Sequence, residues 1–244
     1  MNRQTVGVLG GMGPTATVDF LARIIAATRA ERDQDHLHVL VDCNPQVPDR
    51  SAFLRSEGPD PRPSLVAMAK GLEQAGASFL VMACNTAHAF AEDIRAVVAI
   101  PLVDWPSVVA DAVSVTGVKQ VGILASTGTL VANIYRIPLD ARGIRSVVPT
   151  PSRQAGVMRA IYGPEGIKRL GPESQVARRD LQAGAEDVVA QGAAAVILAC
   201  TEFSALSALG ALQVKVPVFD ASEIVARYVV SRALGQEVPV EAVG

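Results

Sequence analysis

The chain is poor in charge. Over 244 residues, Asp, Glu, Lys and Arg make up 19%, and 22 basic against 24 acidic side chains leave a formal charge of −2. No basic block accompanies them, which removes the electrostatic footprint of a nucleic-acid binder. The longest apolar runs, such as 193–200, stop far short of the roughly 18 residues a membrane-crossing helix needs. Cysteine is scarce: three residues, an odd number that describes no disulfide framework. Walker, HExxH and GxSxG motifs are missing, and the GGMG run at 10–13 departs from G-x-G-x-x-G because Ala16 holds the third glycine place. His36 and His38 share one face of a predicted strand with no companion cysteine or carboxylate cluster, so no metal site is expected. The first residues enter a Gly-rich strand at once; no signal peptide, and a soluble cytoplasmic protein with reduced thiols, are expected.

What the chain does have is apolar material, 50% of its residues. That suffices for one large α/β domain or two small lobes. Short apolar runs at 5–9, 37–42, 79–83, 102–104, 120–125, 146–148, 195–199 and 216–219 predict strands. Between them, helical patterns occupy 15–30, 64–75, 87–98, 128–141, 173–191 and 222–234. Alternation of this kind with near-continuous apolar strands predicts an α/β fold whose mostly parallel sheets are flanked by helices. The proline-rich segment 44–63 reads as a long loop, of the kind that walls a site.

An internal repeat divides the chain. Val6-Gly-Val-Leu-Gly10 returns as Val121-Gly-Ile-Leu-Ala125, 115 residues later. Phe79-Leu-Val-Met-Ala-Cys84 returns as Ala195-Val-Ile-Leu-Ala-Cys200, and Ile100-Pro-Leu-Val-Asp104 as Val216-Pro-Val-Phe-Asp220, each 116 later. Gly76 and Gly192, each followed by Ala, keep the same offset. Four anchors in one order, at offsets of 115 or 116, predict two pseudo-symmetric lobes, 1–105 and 106–220, with a C-terminal helix at 221–244 joining the first.

The repeat also sorts the cysteines. Cys84 and Cys200 each end a buried strand where a helix or turn begins, the end at which parallel sheets bind ligands. Unpaired N–H groups and the helix dipole there favour thiolate. A free cysteine is commonly a small buried hydrophobe, but equivalent placement in both halves points to two acid–base groups facing each other across a cleft. With reacting atoms about 3–3.5 Å from each sulfur, the sulfurs would stand roughly 7 Å apart and could serve opposite faces of one carbon. Asn85, Thr86 and Thr201 offer donors at the same strand ends. Thr127, Gly128 and Thr129, with the turn around Met12, look like anion-receiving turns, although capping is the other reading of each. His88 and Glu202 could tune a thiol or simply cap a helix. Arg50 on the proline-rich loop, and Lys168, one of only four lysines against 18 arginines, could bind a substrate carboxylate or be solvated loop charges. A Schiff base on Lys168 is disfavoured, because no phosphate loop with an aromatic stacking partner surrounds it.

With these motifs the chain resembles the aspartate racemase branch of the aspartate/glutamate racemase superfamily. The carriers are GGMGP at 10–14, NPQVPDR at 44–50, DPRP at 60–63, CNTAH at 84–88, ASTGT at 125–129, Tyr162-Gly, Gly166-Ile-Lys168 and CTE at 200–202. The resemblance implies a cofactor-independent racemase, usually a homodimer, with its site in the interlobe cleft. It implies Cys84 and Cys200 as the two bases, and Asn85, Thr86, Thr127, Gly128, Thr129 and Thr201 around the α-amino and α-carboxylate groups. Arg50 and Lys168 would hold the side-chain carboxylate. The glutamate branch typically opens with an acidic Asp-Ser-Gly-type turn, which GGMG replaces, so aspartate is the expected substrate. Cys43 matches no cysteine expected from the resemblance. Three alternatives stay open: a racemase for glutamate or a wider set of amino acids, a hydantoin racemase or maleate-type isomerase, and an amino-acid binding protein without turnover.

Overall fold

The computed structural model describes residues 3–207, 210 and 212–236. Two parallel sheets organise them. In the first, β1 (Val6–Gly10) lies between β2 (Val39–Cys43) and β3 (Phe79–Met82); in the second, β4 (Gln120–Leu124), β5 (Arg145–Val147), β6 (Ala195–Leu198) and β7 (Val218–Asp220) run in the order β5-β4-β6-β7. The helices are α1 (Pro14–Ala27), α2 (Arg50–Leu54), α3 (Arg62–Gln74), α4 (Ala91–Arg95), α5 (Trp105–Ser114), α6 (Thr127–Val131), α7 (Arg136–Asp140), α8 (Pro151–Tyr162), α9 (Ile167–Leu170), α10 (Gln175–Ala190), α11 (Thr201–Ser207) and α12 (Ala221–Leu234). This is the two-lobed α/β arrangement that the repeat anticipates. Of the helix expected over 221–244, residues 237–244 lie outside the described residues, as do residues 1 and 2 of the N-terminus.

The repeat is visible in strand register. Val6 pairs with Phe79 and Val121 with Ala195. Leu80 bridges Leu102 in parallel, and Val196 pairs with Val218. One core gathers the same face of both sheets: Val6, Val8, Phe79 and Val81 with Val121, Ile123, Ala195 and Ile197. The opposite faces have cores of their own, Leu9, Leu80 and Met82 in the first lobe and Leu124, Val196 and Leu198 in the second. Alternate residues of one strand therefore serve two cores, which is why the central strands are apolar throughout. The equivalent aspartates do the same local work. Asp104 caps α5 by accepting from the Ser107 N–H (3.3 Å), and Asp220 caps α12 by accepting from the Ser222 N–H (3.0 Å). α12 packs on α1 and α5, and α5 packs on α7.

The structure departs from the sequence pattern in several places, and α8 (Pro151–Tyr162) is a helix where none was expected. Residues 102–104 form only the single bridge at Leu102. The helix expected over 87–98 is a 3₁₀ turn, Thr86–Phe90, followed by short α4. That over 128–141 breaks into α6 and α7 at Asn133, whose φ of 52° is left-handed and ends a helical run. The loop at 44–63 contains α2, capped by Asp49 through the Ala52 N–H at 2.7 Å.

Candidate active site

Cys84 and Cys200 stand just past the carboxyl ends of β3 and β6, 5% and 8% exposed. Beside them lies a cavity of about 320 Å³, lined by residues 11–16 of the β1–α1 turn and by Pro45, Val47, Asp49, Arg50, Tyr162, Ile167, Lys168, Glu202 and Ala205. The thiols sit behind this wall: the Arg50 guanidinium lies against Cys84, and the Cys200 Sγ donates to Glu202 Oε2 at 3.1 Å.

The turn that walls the cavity follows from its glycines. Gly11 has a φ of 88°, and a Cβ there would lie 2.4 Å from the Asn44 backbone. Only glycine lets β1 turn so close to the β2 loop. Its N–H is taken by Thr17 Oγ1 (2.8 Å). The Met12 carbonyl accepts from Arg50 Nη2 (2.9 Å) and Lys168 Nζ (3.4 Å). The turn thus presents a carbonyl to two cations, whereas the sequence pattern suggested an anion-receiving row of N–H groups; the left-handed Gly11 rotates the peptides that way. Arg50 also donates to the carbonyls of Val47 (3.1 Å) and Pro48 (3.0 Å), and its buried Nε has no partner among the described residues.

Lys168, from α9, makes an ion pair with Glu202, from α11, 34 residues away. Burial works against both charges, but each holds the other ionised: Lys168 lies above its ordinary value and Glu202 below. An ammonium paired in this way is the non-nucleophilic form, which disfavours a Schiff base at Lys168. Burial, then the Glu202 charge, pushes the Cys200 thiol well up. The helix-terminus argument for a Cys200 thiolate therefore fails here: a carboxylate at bonding distance outweighs a partial charge at the start of a seven-residue helix.

A buried hydroxyl cluster joins the lobes. Thr86 Oγ1 lies 3.0 Å from Ser126 Oγ and 2.8 Å from Thr129 Oγ1, and Ser51 Oγ donates to Ser126 Oγ at 3.1 Å. At Gly128 a Cβ would stand 2.7 Å from the Ser51 Cα, so α2 and α6 meet backbone to backbone. Thr127 is held through its N–H by Met158 Sδ (3.1 Å) and through its hydroxyl by Gln154 (3.3 Å). The Thr201 hydroxyl donates to Glu202 Oε2 (3.3 Å). Asn85 accepts from the Tyr135 hydroxyl, and its buried Nδ2 has no partner. His88 contacts the backbone of the motif rather than the sulfur, its Nδ1 lying 3.0 Å from the Cys84 carbonyl and 3.2 Å from that of Asn85. Burial lowers its pKa to about 4, leaving a neutral ring. Cys43, at the end of edge strand β2, is exposed.

Sequence reasoning missed Ser51, Tyr135, Tyr162 and Gln154 as site residues, whereas Ser126 belongs to the ASTGT turn that it singled out. Tyr162 alone carried a signal, a tyrosine before glycine ahead of the Lys168 motif; its ring lies 5.6 Å from Lys168 Nζ. Among the described residues, no three His, Cys, Asp or Glu side chains group as a metal would require, and no helix is long and apolar enough to cross a membrane.

A family model described as Asp/Glu/Hydantoin racemase matches residues 9–229. A broad specificity amino-acid racemase of Bacillus subtilis is 26% identical over 238 residues, spanning 95% of this chain and 99% of the relative. A glutamate racemase of Pseudomonas entomophila is 34% identical over 177 residues, 68% of this chain and 61% of the relative. Among solved structures, the aspartate racemase of Picrophilus torridus superposes with a TM-score of 0.81 at 27% identity, covering 96% of each chain.

Proposed function

The chain belongs to the Asp/Glu/hydantoin racemase family, and from that premise we propose that this amino-acid racemase interconverts L- and D-aspartate by a two-thiol mechanism. The observation that carries the reading is the cavity in which Arg50 and Lys168 stand together beside the walls covering Cys84 and Cys200. Two cations in a space of about 320 Å³ fit the side-chain carboxylate of a small dicarboxylic amino acid. The α-amino and α-carboxylate groups go to the strand ends, where Asn85 Nδ2 is an unused buried donor. Thr86, Thr127, Gly128, Thr129 and Thr201 position that end of the substrate.

In the reaction one thiolate removes the Cα proton, and the C–H electron pair remains on carbon as an enolate-like anion. The opposite thiol delivers a proton to the other face and becomes thiolate. Because the α-hydrogen is only weakly acidic, the anion must be stabilised by fixed donors in a closed, dry site. No pyridoxal or metal is required by this scheme. Its wider parts are a lobe division between 105 and 106 with 221–244 joining the first lobe, a homodimer, and action in the cytoplasm.

A second reading is a broader racemase that includes glutamate, favoured by the full-length match to a broad specificity enzyme. Chiral chromatography after incubation with L-aspartate, L-glutamate and L-alanine separates the two. D-aspartate as the dominant product supports the proposal. Equal turnover of all three supports the broader reading, and no D-product from any of them removes both.

A further inference from the structure

The two thiols occupy repeat-equivalent positions, but their neighbours are not equivalent. The repeat offset of 116 places Glu202 opposite Thr86, so one half carries a carboxylate where the other carries a hydroxyl. We propose that Glu202 assigns the two thiols their roles: it holds Cys200 as the proton-donating thiol, and leaves Cys84, beside Arg50, to enter as the base. This rests on the two-thiol reading and adds the direction in which the resting enzyme is poised.

The geometry supports each part. Both Glu202 oxygens are occupied, Oε1 by the Lys168 ammonium and Oε2 by the Cys200 Sγ at 3.1 Å and the Thr201 hydroxyl at 3.3 Å. The carboxylate is 6% exposed and cannot turn away without abandoning all three. A sulfur that donates to a carboxylate carries its proton. On the other side, the Thr86 hydroxyl is committed to Ser126 and Thr129, and the ionic neighbours of Cys84 are cations, the Arg50 guanidinium and the Lys168 ammonium. Of the other titratable groups facing the pair, burial raises the Tyr135 and Tyr162 phenols and lowers His88, keeping all three neutral, while the Asp49 carboxylate on the cavity wall faces Arg50 and Tyr162. In a forward turnover the Cys84 thiolate takes the Cα proton. The Cys200 S–H bond then breaks as the carbanion pair forms the new C–H bond on the opposite face. Cys84 is left as the thiol and Cys200 as a thiolate beside Glu202, a like-charge arrangement that Lys168 offsets, so the pair returns to the resting assignment when Cys84 releases its proton to solvent and Cys200 takes one up. Glu202 is thus a positioning residue, acting through Cys200.

The test is alkylation of the full-length protein with iodoacetamide across a pH series, with mass spectrometry reading each cysteine peptide separately. Exposed Cys43 serves as an internal reference. In the wild type, Cys200 should reach half-maximal reactivity at a higher pH than Cys43. Glu202→Gln, nearly isosteric, should move the Cys200 midpoint down by about one pH unit or more. Glu202→Asp, which keeps the charge, should hold it nearer the wild-type position. Lys168→Met, which strips the carboxylate of its cation, should move it upward. A merely structural role would change the rate at every pH, not shift the midpoints in opposite directions. An unmoved Cys200 midpoint in Glu202→Gln, or shifts of the same sign in the Gln and Met variants, overturns the proposal. Turnover does not enter this readout, so failure of the racemase reading and failure of the Glu202 assignment are told apart.

Discussion

Arg50 is held by three backbone carbonyls, those of Met12, Val47 and Pro48, and among the described residues no carboxylate is bonded to it. A buried cation fixed by neutral acceptors keeps its charge available for an incoming anion. Arg50→Leu should therefore lower kcat/KM for aspartate by roughly 10- to 150-fold, the equivalent of a charge-assisted hydrogen bond of about 1.5–3 kcal/mol. Alanine, which lacks the side-chain carboxylate, should be affected much less. An equal loss for both would place Arg50 outside the side-chain subsite. His88 makes a separate prediction about stability. Its folded pKa of about 4 lies below the ordinary 6.5, so the unfolded chain takes up a proton that the folded one refuses. Stability contributed by the neutral ring is present above pH 6.5 and is lost as pH falls toward 4, in all by about 3 kcal/mol. Urea titrations at pH 7.5 and 5 should show a smaller pH dependence in His88→Asn than in the wild type. Identical dependence would mean that His88 titrates normally.

Among the elements, α2 matters most for its length. It carries Arg50 and Ser51 out of the β2 loop and lays them on α6, where Gly128 permits a backbone-to-backbone approach. Gly128→Ala would push these elements apart, at a cost of about 1–3 kcal/mol by overpacking, and would draw Arg50 away from Cys84. Lower thermal stability together with a lower rate of aspartate turnover is the expected result; a variant equal to the wild type in both would show that α2 need not be seated on α6. α2 was hidden in the sequence because five prolines over 44–63 outweigh a helical pattern only five residues long. The strands, the repeat and both thiols were legible, since each depends on local pattern or on spacing within the chain. The Lys168–Glu202 pair and the Tyr135–Asn85 bond were not. They join residues 34 and 50 apart on elements brought together only by the tertiary fold. The preference for thiol at Cys200 was concealed for the same reason: a local rule about helix ends pointed one way, and a side chain two residues on, itself anchored from α9, decided the matter.

At the scale of the whole molecule, the two sheets share a core, and an ion cluster ties its edge. Arg23 of α1 contacts Asp19 (2.7 Å), Asp220 (3.2 Å) and Glu223 (3.1 Å), and donates to the Ser204 carbonyl of α11 (2.9 Å). It thereby links the helix that begins at the cavity, the helix that follows Cys200 and the N-terminus of α12. Arg23→Met would leave the half-buried Asp220 carboxylate without its cation, and a loss of about 1–3 kcal/mol in urea unfolding is expected; a change below 1 kcal/mol would show that the cluster is no fastening. In the proposed reaction both thiols handle the same Cα position from opposite faces. Its most direct test is incubation of L-aspartate with the enzyme in deuterated water, followed by mass spectrometry and chiral separation, for the wild type and for Cys84→Ser and Cys200→Ser. The wild type should yield D-aspartate carrying one deuterium at Cα, and racemisation should fall by about 10²–10⁴-fold in each variant. D-aspartate that retains its original proton, or full racemisation in either serine variant, would contradict the two-thiol reaction.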